Sequence, residues 1–315
     1  MKSIISRKPF FDEPLFIDGL TRSGKTMLAP IICSLNRVEK VNVNYQFEFI
    51  PMLNIVNSIS DRAAVTMMRY FIENQVYENA IGRNMNFRSS DLTSVWNTSE
   101  PIKYISRLNK TEGDSVFENI IKSRQFFLLL VHDALWHAKI YFKAFPNLKM
   151  IHIDRHPVDL IYSWYKKGYG SDFYDNPRNA LLTLEWNKKI YPYYAHEWEE
   201  EYINLSEMGR IIKMVNMLQN KGKKVFESFP QKHKNNVFFV KFEEIVSDPK
   251  PYVEAISKFL ETKQSGYTSI AMEKEKVPRL LKLDKRKKKQ SVIKELSEPE
   301  TYNLYLSMVD QYESD

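Results

Sequence analysis

Pro14-Leu15-Phe16-Ile17-Asp18-Gly19-Leu20-Thr21-Arg22-Ser23-Gly24-Lys25-Thr26-Met27-Leu28-Ala29 sets three pieces in succession. An apolar run of strand length comes first, a turn carrying two glycines follows, and an apolar stretch with the character of a helix N-terminus closes it. Gly19 and Gly24 let the backbone reverse tightly, so the amides of residues 22–26 can point into one concavity. The first turn of the helix adds its partial positive charge. A phosphate or sulfate placed there meets donors already in position.

Read literally, Gly19 to Thr26 satisfies the G-x-x-x-x-G-K-[ST] pattern of nucleoside-triphosphate loops. Thr21-Arg22-Ser23-Gly24-Lys25-Thr26 equally resembles the 5′-phosphosulfate loop of sulfotransferases, in which a basic residue precedes Ser-Gly. The loop alone does not choose between ATP and a sulfate donor.

Working outward, apolar runs recur with helical stretches between them. Gln125–Asp133 is a continuous apolar strand, Lys149–Asp154 is a second and Asn236–Lys241 a third, as in a parallel sheet covered on both faces. Helical periodicity is expected from Ile55 to about Tyr77, over Leu135–Phe145, from Pro157 onward and around Tyr252–Leu260. The alternation in Val41–Phe49 reads as a further strand in its first part. Strands separated by long helical crossovers predict an α/β fold: a three-layer parallel sheet with helices on both faces. Neither repeats nor low-complexity linkers divide the chain, so residues 1–315 are expected to form a single domain.

Hydrophobic residues at 43% and charged residues at 27% are the proportions of a globular protein rather than of a disordered one. The single Cys33 excludes an intrachain disulfide framework. Neither an apolar leader nor a transmembrane-length run is present, so the expectation is a cytoplasmic protein without a membrane span. The net charge of +7 is unevenly placed. Between Glu273 and Lys289 nine basic residues face three acidic ones, and that excess is nearly the charge of the whole chain. Such a run is either a solvated face or a clamp for a polyanion. Nucleic acid is not expected, because no aromatic interleaves the run to stack on bases.

Three segments in order resemble the family of sulfotransferases that use 3′-phosphoadenosine 5′-phosphosulfate (PAPS), across roughly residues 14–249. The first is the loop. The second, Ile153-Asp154-Arg155-His156-Pro157-Val158-Asp159-Leu160-Ile161-Tyr162-Ser163, is similar to the family's 3′-phosphate segment, where an Arg ends a strand and a Ser follows eight residues later on the helix. The third, Val240-Lys241-Phe242-Glu243-Glu244-Ile245-Val246-Ser247-Asp248-Pro249, resembles a structural signature of the family.

The resemblance implies a P-loop NTPase-like sulfotransferase fold and the transfer of a sulfuryl group from PAPS to a hydroxyl or amine. The acceptor it implies is a small molecule or a carbohydrate. Thr21, Arg22, Ser23, Gly24, Lys25 and Thr26 would hold the 5′-phosphosulfate, with Arg155 and Ser163 on the 3′-phosphate. Arg22 stands where the family usually has Lys, and Lys25 where it has a small or hydroxyl residue, so either can meet charge on the leaving oxygen. The family's C-terminal Arg-Lys-Gly element is missing, and the run beginning at Arg279 is the candidate to replace it.

For the base, the cytosolic branch implies a His after a buried strand, which is His132; the carbohydrate branch implies a Glu, which is Glu48. No His/Cys cluster has metal-ligand spacing. The aromatics from Trp164 to Tyr202, among them Phe173, Tyr174, Trp186 and Trp198, are either core packing or flat platforms for an acceptor.

Two other functions fit the same residues. A P-loop kinase or NTPase would use ATP with magnesium, with Asp133 as its Walker-B acid. A non-catalytic nucleotide- or polyanion-binding module would need the loop and the basic run but not His132.

Overall fold

A computed structural model describes residues 9–171, 182–281 and 284–314. Its centre is a four-stranded parallel sheet in the order β2-β1-β3-β6. The strands are β1 (Pro14–Asp18), β2 (Phe127–Leu130), β3 (Lys149–Asp154) and β6 (Val237–Lys241). In register, Ile17 lies beside Leu130 on one side and Ile151 on the other, and Ile153 lies beside Val240. Helices lie in the connections between strands successive in this sheet, and all four strands point the same way.

The alternation of side chains across the pleat divides the core in two. Leu15, Ile17, Leu128, Leu130, Ile151 and Ile153 face the helices Lys25–Cys33 and Pro249–Phe259, which contribute Leu28, Ile32, Val253 and Ile256. Phe16, Phe127, Leu129, Met150 and Val237 face Asp61–Ala80 and Ala138–Ala144 through Ala64, Met68, Ile72, Tyr141 and Phe142. The architecture is the three-layer α/β arrangement predicted. A third cluster gathers Val158, Trp164, Tyr193, Ile212 and Tyr305, joining the helices Pro157–Tyr165, Glu207–Glu227 and Pro299–Ser314.

Several local expectations need correction. Val41–Phe49 forms no strand of its own: Asn42 makes one parallel bridge to Leu129, and a helix spans Gln46–Ile55. Asn44 Oδ1 accepts the Gln46 N–H at 3.0 Å, turning the chain into that helix. The helix expected from Ile55 begins later, at Asp61, capped by Ser60 Oγ on the Ala63 amide at 3.3 Å. A small antiparallel hairpin, β4 (Thr183–Trp186) and β5 (Lys189–Pro192), was not foreseen. Its two-residue turn, Asn187-Lys188, has both φ positive at 50° and 61°, the backbone that matches strand twist.

The carboxyl ends of β1, β2, β3 and β6 open on one edge, carrying Gly19, His132, Arg155 and Phe242 in the residues that follow. No described helix is long and apolar enough to cross a membrane.

Candidate active site

The turn after β1 is held from several sides. Ser23 N–H donates to Leu20 O at 3.0 Å, so that amide closes the loop itself and is not offered to a ligand as the sequence suggests. The N–H groups of Met27 and Leu28 donate to Gly24 O at 3.0 and 3.2 Å, which leaves those of Lys25 and Thr26 without an intrahelical acceptor, and Thr26 is exposed. Glycine is required at two places. At Gly19 (φ 143°) a Cβ would come within 2.4 Å of Ile153 O, and at Gly24 (φ 117°) within 2.3 Å of the Phe242 ring. Trp164 Nε1 donates to Thr21 O at 2.6 Å, fixing the loop to the helix Pro157–Tyr165.

Lys25 is buried, and its ammonium donates to the loop carbonyls of Gly19 and of Leu20, the latter at 2.9 Å. Burial pulls its pKa down to about 8, against the pull of Asp18, Asp133 and Glu48. Arg22 lies outside, in the left-handed region at φ 74°, and its Nε donates to Ser163 Oγ at 3.1 Å. The turn after β1 and the helix Pro157–Tyr165 thus touch through those two side chains.

Arg155 donates from Nη1 to Arg22 O at 2.7 Å and lies over the Phe242 ring at 4.6 Å. Arg279 approaches the same ring at 6.0 Å, anchored by its N–H on Val246 O. Burial lowers the Arg155 pKa, and the charges of Arg22 and Arg279 lower it further, against Asp159 and Glu243. Three guanidinium groups therefore share one region. Two buried polar atoms there have no partner among the described residues: Ser23 Oγ and Arg155 Nε.

Asp159, one helical turn from Arg155, is engaged elsewhere. Arg286 Nε donates to Asp159 Oδ2 at 2.9 Å, and Lys289 donates to Oδ1. Arg286 also reaches Glu243 Oε1 at 3.3 Å. The basic run is consequently split: Arg286 and Lys289 fasten the helix Asp284–Leu296 to the fold, while Arg279 stands beside Arg155. Lys282 lies outside the described residues, as do Phe173 and Tyr174. Of the remaining aromatics, Trp164, Tyr191, Tyr193, Tyr194 and Tyr202 are buried in the third core cluster, so this group serves packing.

On the β2 side, the two residues that the sequence offers as alternative bases are in contact. Glu48 stands on the helix Gln46–Ile55, not after a strand, and is buried. Its Oε1 accepts both the His132 backbone N–H at 3.0 Å and His132 Nδ1–H at 2.8 Å. A carboxylate can only accept, so this bond places the proton on Nδ1 and leaves the lone pair on Nε2. His132 remains about a quarter exposed, at 26% of its side chain.

Asp133 follows in a left-handed conformation (φ 55°), with Oδ2 accepting from Tyr194 O–H at 2.8 Å. Burial raises its pKa to about 6. Phe242, which backs both Gly24 and Arg155, was not singled out from the sequence. The apolar residue after a strand carries no signal of its own.

Residues 12–306 match the family described as Sulfotransferase domain. No curated protein shows significant similarity to the chain. Among solved structures, the sulfotransferase domain from the curacin biosynthetic pathway aligns with a TM-score of 0.45 and 11% identity, over 84% of this chain and 77% of that one. Sulfotransferase STF1 from Mycobacterium tuberculosis H37Rv gives 0.44 and 11%, over 88% and 76%. A sulfotransferase from Alicyclobacillus acidocaldarius gives 0.42 and 13%, over 95% of each chain.

Proposed function

The chain belongs to the sulfotransferase domain family, whose reaction is sulfuryl transfer, and on that premise we propose that its donor is PAPS and its base the His132–Glu48 dyad. The observation that carries the proposal is the meeting of Arg22, Ser163, Arg155 and Arg279 beside the phosphate turn, with Ser23 Oγ and Arg155 Nε buried and unpartnered. Polar atoms left in that state are costly unless a ligand completes them, and a dianionic group supplies the acceptors they lack. The residues present therefore fit the donor.

When bound, PAPS supplies a sulfuryl group on a 5′-phosphate that serves as leaving group. The helix amides and Thr26 would hold the 5′-phosphate, with Arg22 beside them, while Arg155, Ser163 and Arg279 would hold the 3′-phosphate. His132 Nε2 takes the proton of the acceptor hydroxyl or amine, and Glu48 steadies the imidazolium through Nδ1–H. Lys25, buried with its ammonium on the carbonyls of Gly19 and Leu20, shapes the loop and is not placed to give a proton to the departing oxygen. Arg22, always charged, neutralises without donating. The acceptor class is a hydroxyl- or amine-bearing small molecule or carbohydrate.

The test is a thermal shift with the product bisphosphate, PAP, against ATP with magnesium. At a hundredfold excess over Kd, binding to the native state adds about 2.7 kcal/mol of stability. PAP is expected to give the larger shift. A shift with ATP and magnesium and none with PAP would overturn the assignment of donor.

A further inference from the structure

On the inner side of the segment that carries His132 lies a charged network the reaction as written leaves unused. Asp18, the last residue of β1, is fully buried. Its Oδ1 accepts the Ala134 N–H at 2.8 Å, and its Oδ2 accepts the Leu135 N–H at 3.0 Å. His152 Nδ1–H donates to the same Oδ2 at 2.7 Å, while its Nε2–H reaches Asp154 Oδ1 at 3.3 Å. Val131 N–H is fixed just before the turn, on Ile17 O at 3.0 Å. The end of β1 thus grips residues 131 and 134–135, and Glu48 grips 132 between them.

We propose that Asp18, backed by His152 and Asp154, is the positioning residue for the catalytic turn, setting where His132 Nε2 lies relative to the phosphate loop. Three features favour positioning over bulk stability. Asp18 is adjacent to Gly19, so one residue ends the strand that starts the phosphate loop and holds the turn that carries the base. The turn contains Asp133 in a left-handed conformation, which persists only where neighbouring contacts determine it. A buried ion pair is also a poor source of stability compared with apolar packing, and is better suited to fixing one geometry. The inference rests on His132 being the base.

The experiment is a double-mutant cycle of Asp18→Asn with His132→Ala, following PAP release from PAPS with 4-nitrophenol as the probe acceptor, alongside PAP affinity by calorimetry. Asn keeps the shape but cannot accept from both amides and His152 together. Asp18→Asn alone is expected to lower kcat about 10- to 100-fold, the scale of a small misplacement, with PAP affinity changed less than about threefold. In the His132→Ala background the same substitution should cost less than about threefold, because it acts through the missing imidazole. Equal losses in both backgrounds, or a parallel loss of PAP affinity, would overturn the proposal and leave His132 as the base. An undiminished rate in His132→Ala itself would overturn the base assignment, and this proposal with it.

Should Asp18→Asn fail to fold, His152→Gln, which keeps a donor toward Asp18, is expected to show the same non-additivity at smaller amplitude. Amide hydrogen exchange without nucleotide gives an independent readout. Exchange accelerated more at residues 131–136 than through β1 and β3 supports positioning, and acceleration no greater there than in those strands refutes it.

Discussion

Removing the Arg155 guanidinium gives the sharpest test of the nucleotide site, because its effects on the free and the bound protein separate. In the free protein Arg155→Ala takes one donor from Arg22 O, an atom on an exposed residue where water can replace it. It removes one of two cations flanking Phe242, worth roughly 0.5–1 kcal/mol, and relieves repulsion from Arg22 and Arg279. These offset one another, so the unfolding free energy should move by less than about 1 kcal/mol. With PAP bound, the substitution forfeits a charge-assisted contact worth about 1.5–3 kcal/mol, which is roughly a 10- to 150-fold rise in Kd. Adenosine 5′-phosphosulfate has no 3′-phosphate and should lose less than about threefold. Arg155→Lys keeps the charge but not the fork or Nε, and should fall between. Calorimetric titration of the three proteins with both ligands at fixed ionic strength measures this. An equal loss for both ligands would mean that Arg155 only props up Phe242, and the reasoning would fail.

His132→Ala and Glu48→Gln should each leave PAP affinity nearly unchanged while slowing transfer, by roughly 10²–10⁴-fold for the base itself; a loss at only one of them would break the dyad as drawn from their 2.8 Å contact. Gly24→Ala must fit a methyl 2.3 Å from the Phe242 ring at φ 117°, so a cost of about 1–3 kcal/mol in urea unfolding is expected, with loss of PAP binding. His152 is pulled down by burial but raised overall to about 10 by Asp154 and Asp18. A raised folded-state pKa stabilises fully below the unfolded value near 6.5 and ceases to do so as pH rises through 10. The stability gap between the wild-type chain and His152→Gln should therefore be widest near pH 6 and close toward pH 10; a gap independent of pH would count against a charged His152.

The sheet was legible because its strands are buried on both faces, and continuous runs such as Met150-Ile151-His152-Ile153 leave little other reading. The helix after β3 was legible from Pro157 at its first position. The helix Gln46–Ile55 was not. It contains Pro51, and with Phe47, Glu48, Ile50, Pro51 and Met52 all buried it lacks the polar face that reveals helical periodicity. Arg22, Arg155 and Ser163 were named from the resemblance of their segments to the family's. The pairing of His132 with Glu48 could not, since it spans 84 residues and depends on Asn42 lying beside Leu129. Asp18 was not singled out, because nothing local announces that Ala134 and Leu135 will need an acceptor.

The fastening of Arg286 and Lys289 onto Asp159 has an effect at a distance from itself. Asp159 lies four residues beyond Arg155 and attracts it electrostatically. Left without its two partners, it would compete for that guanidinium with the phosphate proposed to bind there, an internal decoy for that anion. The C-terminal helices keep the decoy occupied, so the tail of the chain sets how much of Arg155 is available without contacting the nucleotide. Replacing Arg286 and Lys289 together by Ala should accordingly weaken PAP binding, and adding Asp159→Asn to that variant should return part of the loss.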